Sequence, residues 1–254
     1  MISLKDISKE FDNGVEINHV LKSINFDILE GQFVTVIGGN GAGKSTLFNI
    51  INGNLQPTSG AIFFDGVDIV KKSHSTRAAL ISRVYQDPNY GVCPELTVAE
   101  NMALANARGD WRWLRWAIRK KDIAFFEEKL SEFDLGLERM LRKKASLLSG
   151  GQRQVLTLLM ATLQKPRLLL LDEHTAALDP RIAKQVMGIT KNLVEKQKIT
   201  TIMISHNMSD AIAYGDRLIM LNGGEIIMDV SGEEKSRLTP ADLITKFEVQ
   251  NVEL

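Results

Sequence analysis

The chain has 254 residues, enough for one large domain or a core domain with a smaller lobe. Apolar residues make up 44% and charged residues 24%, the balance of an ordinary globular protein. Basic and acidic side chains number 31 each, so no global charge draws the chain to nucleic acid or anionic lipid. One cysteine, Cys93, excludes an internal disulfide and fits a reducing cytoplasm. No apolar run reaches the roughly 20 residues of a membrane-spanning helix. The start, Met1 to Asp6, lacks the charged-then-apolar layout of a signal peptide. Any membrane role is therefore expected to come through a partner. There is no low-complexity segment and no internal repeat.

Residues 1–30 alternate apolar and polar positions around Asp12-Asn13-Gly14, which predicts antiparallel strands joined by a turn. Phe33 to Ile37 is a β-branched run of the kind found in buried strands. A glycine-rich turn follows, then a helix starting near Lys44. Ala61 to Phe64 with Asp65-Gly66 predicts a further strand and turn. Thr97 is an expected N-cap with Glu100 in capping-box position, and the stretch to about Leu148 reads as mostly helical. Arg167–Leu171 and Thr200–Ile204 are two more buried strands, separated by a helix from Pro180 to about Lys196. That order predicts parallel pairing. Arg217–Leu221 and Glu225–Val230 flank Asn222-Gly223-Gly224, a hairpin signal, and Thr239-Pro240 opens a last helix. The expected fold is α/β: a parallel-sheet core, an antiparallel β lobe before it, and a helical subdomain inserted at about 97–148. The whole of 1–254 is one domain without a flexible linker.

Gly38-Gly39-Asn40-Gly41-Ala42-Gly43-Lys44-Ser45 matches the P-loop pattern between a strand and a helix. Glycines let the backbone turn tightly and aim amides at phosphate oxygens, and the helix N-terminus adds its positive end. Lys44 is expected to bridge β- and γ-phosphates, and the Ser45 hydroxyl, followed by Thr46, to ligate Mg²⁺. The apolar run Leu168–Leu171 carries Asp172 and Glu173 to its C-terminal end, where ligands bind in open α/β sheets. Asp172 would hold the Mg²⁺ hydration shell; Glu173 would polarise the attacking water or act as general base. These residues predict a nucleoside triphosphatase.

Leu148-Ser149-Gly150-Gly151-Gln152-Arg153-Gln154, about 20 residues before Asp172-Glu173, resembles the signature of the ABC ATPase family. The resemblance covers almost the whole chain and implies ATP and Mg²⁺ as ligands. It implies that Ser149, Gly150, Gly151 and Gln152 face the γ-phosphate bound by a second copy, across a homodimer. It gives Gln86 a contact to Mg²⁺ and the attacking water, and makes Ala177-Leu178-Asp179 the loop that crosses the interface. His206 becomes the histidine that contacts the γ-phosphate and supports Glu173. Phe11 occupies the place of an aromatic that stacks on adenine, with a strand-end core residue as the alternative.

One departure is His174-Thr175-Ala176-Ala177, where many relatives carry Pro-Thr-Ser. The run from Leu171 to Pro180 looks like cassettes of bacterial importers of tryptophan or tyrosine type. The resemblance implies transmembrane permease subunits, an extracytoplasmic substrate-binding protein, no nucleic acid, and a peripheral place on the cytoplasmic face of the membrane. An exporter cassette and a non-transport ATPase driving a soluble assembly process share the same motifs. Trp111, Trp113 and Trp116 lie among Arg108, Arg112, Arg115, Arg119, Lys120 and Lys121. On a helix the four arginines would share one face, suited either to a permease or lipid contact or to a solvated basic surface.

Overall fold

β1 (Ile2–Asp12) and β2 (Ile17–Ile28) pair antiparallel, with Leu4 opposite Phe26 and Ile7 opposite Ile24. Side-chain oxygens hold the turn between them: Asp12 accepts from the Gly14 amide at 2.7 Å, and Asn13 from Val15 and Glu16 at 2.9 and 2.8 Å. β4 (Ser59–Phe64) joins the other edge of β1, and β5 (Val67–Asp68) follows it in the order β2-β1-β4-β5. This computed structural model describes residues 1–107 and 118–252, with side chains through residue 248.

A second, six-stranded sheet forms the other layer, in the order β10-β9-β3-β8-β7-β6. Its members are β3 (Phe33–Gly38), β6 (Ile81–Val84), β7 (Leu168–Asp172), β8 (Thr201–Ile204), β9 (Arg217–Asn222) and β10 (Glu225–Ser231). β3, β6, β7, β8 and β9 run parallel, as their nearly continuous burial requires. β10 turns back on β9 through Gly223 and Gly224, both at positive φ (53° and 84°); the hairpin expected at Asn222-Gly223-Gly224 is present, with Asn222 paired to Glu225. β6 was not foreseen, because Ser82 and Arg83 interrupt its apolar pattern.

α1 (Lys44–Asn52) lies between the sheets with Leu47, Phe48, Ile50 and Ile51 buried. α2 (His74–Ala78) packs behind it and supplies Arg77, which is fully buried. The Arg77 guanidinium donates to the Ile50 carbonyl at 2.7 Å, to the Ile51 carbonyl at 3.3 Å, and to Val70. It therefore closes the C-terminal end of α1, where carbonyls lack helical partners and the dipole favours a cation.

α3 (Val98–Asn106) begins with the expected capping box of Thr97 and Glu100. α4 (Lys120–Ser131) follows, but the stretch to Leu148 is less helical than the sequence suggests. Asp134 and Gly136 take left-handed backbone (φ 51° and 68°), and only 3-10 turns at Leu137–Met140 and Ala145–Leu147 remain. Backbone bonds from Val98 to Lys143 and from Ala99 to Leu141 tie this segment to the start of α3 instead. Its apolar residues form a separate core cluster with α5 (Gly150–Thr162) and α6 (Pro180–Gln197), including Met102, Phe126, Leu130, Leu141, Leu156 and Val186. α7 (Met208–Ala213), α8 (Gly232–Ser236) and α9 (Pro240–Val252) cover the β9–β10 side. Trp111 to Trp116, with Arg108, Arg112 and Arg115, falls outside the described residues. Arg119 pairs with Asp122 at 3.0 Å at the start of α4.

Replacing Arg77 with Met removes the guanidinium from the Ile50, Ile51 and Val70 carbonyls, of which Ile50 keeps only the Gly53 amide at 3.2 Å. The variant is expected to lose about 2–4 kcal/mol of unfolding free energy in urea titration. A loss below about 0.5 kcal/mol would contradict this role for Arg77.

Candidate functional site

Because β3, β8, β7 and β6 are parallel neighbours, their C-terminal ends share one edge of the sheet. β3 runs into the Gly38–Lys44 loop, β8 into Ser205-His206, β7 into Asp172-Glu173, and β6 into Tyr85-Gln86. Five of the candidate residues thus converge from four strands.

The loop needs its glycines at particular places. Gly41 and Gly43 have φ of 78° and 94°, where side chains are strained. A Cβ on Gly43 would also lie 2.5 Å from Leu21 Cδ2 and 2.8 Å from the Val20 carbonyl. Gly39 is different: a Cβ there meets nothing within 4 Å. Asn40, Gly41 and Ser45 are exposed, whereas Ala42 is buried and Thr46 half-buried. Lys44 is 6% exposed and folds back, its Nζ donating to the Gly38 and Gly39 carbonyls at 2.7 and 2.9 Å. Burial lowers its pKa from the ordinary lysine value, and the carboxylates of Glu173 and Asp172 oppose that shift.

Glu173 sits in left-handed backbone (φ 48°), a conformation that costs a non-glycine residue about 1 kcal/mol or more. Its amide donates to the Ile204 carbonyl at 3.2 Å, which ties the turn to β8. Its Oε1 lies 2.6 Å from Nε2 of His206, whose side chain is about half exposed (48%). The carboxylate and imidazole expected to cooperate are therefore in direct contact. Beside them, Arg83 on β6, whose side chain is largely covered, pairs with Asp172. Gln86 is exposed just beyond β6.

His174 points the other way. It is 1% exposed, and its Nε2 lies 3.0 Å from Oγ1 of Thr190 on α6. The Thr190 hydroxyl already donates to Val186 at 2.8 Å, so Nε2 carries the proton of this bond. Burial pushes the imidazole down to about 4, neutral at pH 7. His174 thus anchors the segment after Glu173 to α6 and takes no part in the cleft.

Ser149 and Asp179 are N-caps of α5 and α6. Ser149 and Gln152 form a reciprocal capping box (3.3 and 3.1 Å), and Asp179 accepts from the Ile182 amide at 3.1 Å. Gly150 is exposed, and a Cβ on Gly151 would lie 2.4 Å from Ile182 Cγ2, so a larger residue would have to displace that side chain. Among the described residues, no hydrogen bond or ion pair joins Ser149, Gly150 or Asp179 to Lys44, Asp172, Glu173 or His206. Phe11 is 44% exposed at the end of β1, with Lys9 Nζ 4.9 Å from its ring centre. It is not a core residue.

A family model described as ABC transporter matches residues 21–176, more than half of the chain. The chain belongs to the ABC transporter family. This cassette is 44% identical to a tyrosine transport ATP-binding protein of Clostridioides difficile over 98% of this chain and 99% of that one. It is 39% identical to the spermidine/putrescine import ATP-binding protein of Spiroplasma citri over 89% of the chain, spanning 60% of that relative's length. A dimeric cassette solved in a post-hydrolysis state with ADP and Pi superposes with a TM-score of 0.75 at 30% identity, covering 94% of this chain and 100% of that one. As an ABC cassette the chain binds and hydrolyses ATP. The motif reading missed Arg83, whose only sequence signal is an arginine three residues before Gln86.

Gly43→Ala is expected to weaken ATP binding at least about tenfold in equilibrium dialysis, from left-handed strain plus two close contacts. Gly39→Ala is expected to stay within about twofold. Equal affinities for the two variants would contradict this account of the loop.

Proposed function

We propose that this chain powers a bacterial-type importer of a small solute of the amino-acid class. It would work as a homodimer bound peripherally to permease subunits on the cytoplasmic face, with an extracytoplasmic substrate-binding protein and no nucleic acid. The observation that carries this is the 44% identity to the tyrosine transport cassette over nearly the full length of both chains. In this reading 1–254 is one cassette, with the helical segment at about 97–148 as its inserted subdomain.

Each side chain then has a defined task. Lys44 leaves its two carbonyls for the β- and γ-phosphates, backed by the amides of Gly38 and of residues 40 to 46. Phe11 covers the adenine. Ser45, Gln86 and, through water, Asp172 would hold Mg²⁺. The donor set fits that ion: a hydroxyl, an amide and one carboxylate suit a small hard cation that keeps waters and leans on phosphate oxygens. Among the described residues no cluster of three His, Cys, Asp or Glu offers a transition-metal site. Bound there, Mg²⁺ neutralises charge on the β- and γ-phosphate oxygens. Glu173 takes the proton of the attacking water, and His206 holds Glu173 in place and faces the γ-phosphate. Ser149, Gly150, Gly151, Gln152 and Asp179 serve the partner copy's nucleotide, which accounts for their separation from Lys44 within one chain. ATP, but not ADP, then joins two copies, and hydrolysis releases them.

Glu173→Gln is expected to lower steady-state phosphate release at least about a hundredfold while ATP still binds. Native release from that variant would overturn the role of Glu173. The transport reading is tested by affinity purification of the tagged chain from gently solubilised native membranes. A multi-spanning permease accompanied by an extracytoplasmic binding protein is expected. Recovery of soluble assembly factors alone would overturn the importer and leave the ATPase.

A further inference from the structure

Arg83 is a cation with a largely covered side chain beside Asp172 that none of the tasks above uses. It lies on β6 opposite Leu170, and its side chain is 8% exposed. One arm of its guanidinium pairs with Oδ2 of Asp172 on β7. The other donates to Oδ1 of Asn49 on α1 at 2.7 Å. The guanidinium carbon lies 4.8 Å from the ring centre of Tyr85, the residue before Gln86, and 5.8 Å from that of Phe48 on α1. A single planar group therefore touches the strand that carries the carboxylate, the helix that follows the phosphate loop, and the segment that carries Gln86. A fork of fixed shape is suited to such a task, because its two arms cannot move independently. Asp172 is held by one oxygen only; no described group takes Oδ1, and its side chain keeps 15% exposure.

We infer that Arg83 is a positioning residue for the divalent cation: it grips Oδ2 so that Oδ1 alone faces the cleft, in register with Ser45 and Gln86. This deepens the proposed function and rests on it. Two physical roles for Arg83 predict opposite signs. If its charge mattered most, removing it would strengthen the pull of Asp172 on a cation. If its geometry matters most, removing it frees the carboxylate to rotate and weakens cation binding.

The test uses the full chain saturated with ADP, with Mn²⁺ titrated and free ion read by electron paramagnetic resonance, so no turnover is needed. A fluorescent ATP analogue in excess EDTA separately reports nucleotide binding. For Arg83→Met we expect Mn²⁺ affinity to fall at least about tenfold, with metal-free nucleotide affinity within about twofold of native. Arg83→Lys keeps the charge but cannot hold Asp172 and Asn49 at once, and is expected to fall at least about threefold. Should Arg83→Met fail to fold, Arg83→Lys decides alone. Native or tighter Mn²⁺ affinity in the folded variants would overturn the inference, even where stability or turnover drops. Failure of the native chain to bind the ATP analogue would instead overturn the cassette reading beneath it.

Discussion

The parallel hydrogen bonding of β3 to β8, β8 to β7 and β7 to β6 is the constraint on which the site depends. It delivers the phosphate loop, His206, Asp172-Glu173 and Gln86 to one edge, although 168 positions separate Gly38 from His206. The sheet is held by burial on both faces, with Val34, Val36, Leu168 to Leu171 and Ile202 to Ile204 almost inaccessible. A one-residue slip in any of these strands would turn its terminal residue away from the cleft. Register is thus a functional property of the core as well as a structural one.

Local strain at that edge is held by long-range contacts. Glu173 keeps its left-handed backbone through the bond to Ile204, while His174 just after it is pinned to Thr190. The departure from the commoner Pro-Thr-Ser pattern therefore exchanges a stiff ring for a buried, neutral hydrogen-bonding one. The turn after Glu173 remains anchored by different chemistry. At the other end of α1, Arg77 closes the helix whose N-terminus follows the phosphate loop. The C-terminal end of that helix is thereby tied to α2, while its N-terminus carries no side-chain cap.

The strands with uniform apolar runs were legible in the sequence, because a fully buried strand has little other pattern available. The phosphate-loop pattern and the apolar run before Asp172-Glu173 point to Lys44, Asp172 and Glu173, the family resemblance points to His206, and the structure places Oε1 of Glu173 2.6 Å from Nε2 of His206. β6 escaped because its inward Arg83 breaks the apolar run, and only the partners Asp172 and Asn49, far away in sequence, make that arginine compatible with burial. The 132–148 stretch escaped for a related reason. Its apolar residues face the cluster shared with α5 and α6, but two left-handed residues and bonds back to the start of α3 stop a helix from forming. Phe11 could not be assigned from periodicity alone, since a strand-end aromatic reads the same whether it packs inward or faces solvent.

Ser149 and Asp179 cap their own helices and leave the cleft of their own chain alone, so the site within one copy is half of the proposed machine. The most direct test is the mass of the Glu173→Gln variant by analytical ultracentrifugation with ATP or with ADP. The account predicts a dimer with ATP and a monomer with ADP. It also predicts that adding Ser149→Arg returns the ATP-bound chain to a monomer without loss of bound nucleotide. A Glu173→Gln chain that binds ATP and stays monomeric, or a dimer indifferent to Ser149→Arg, would contradict it.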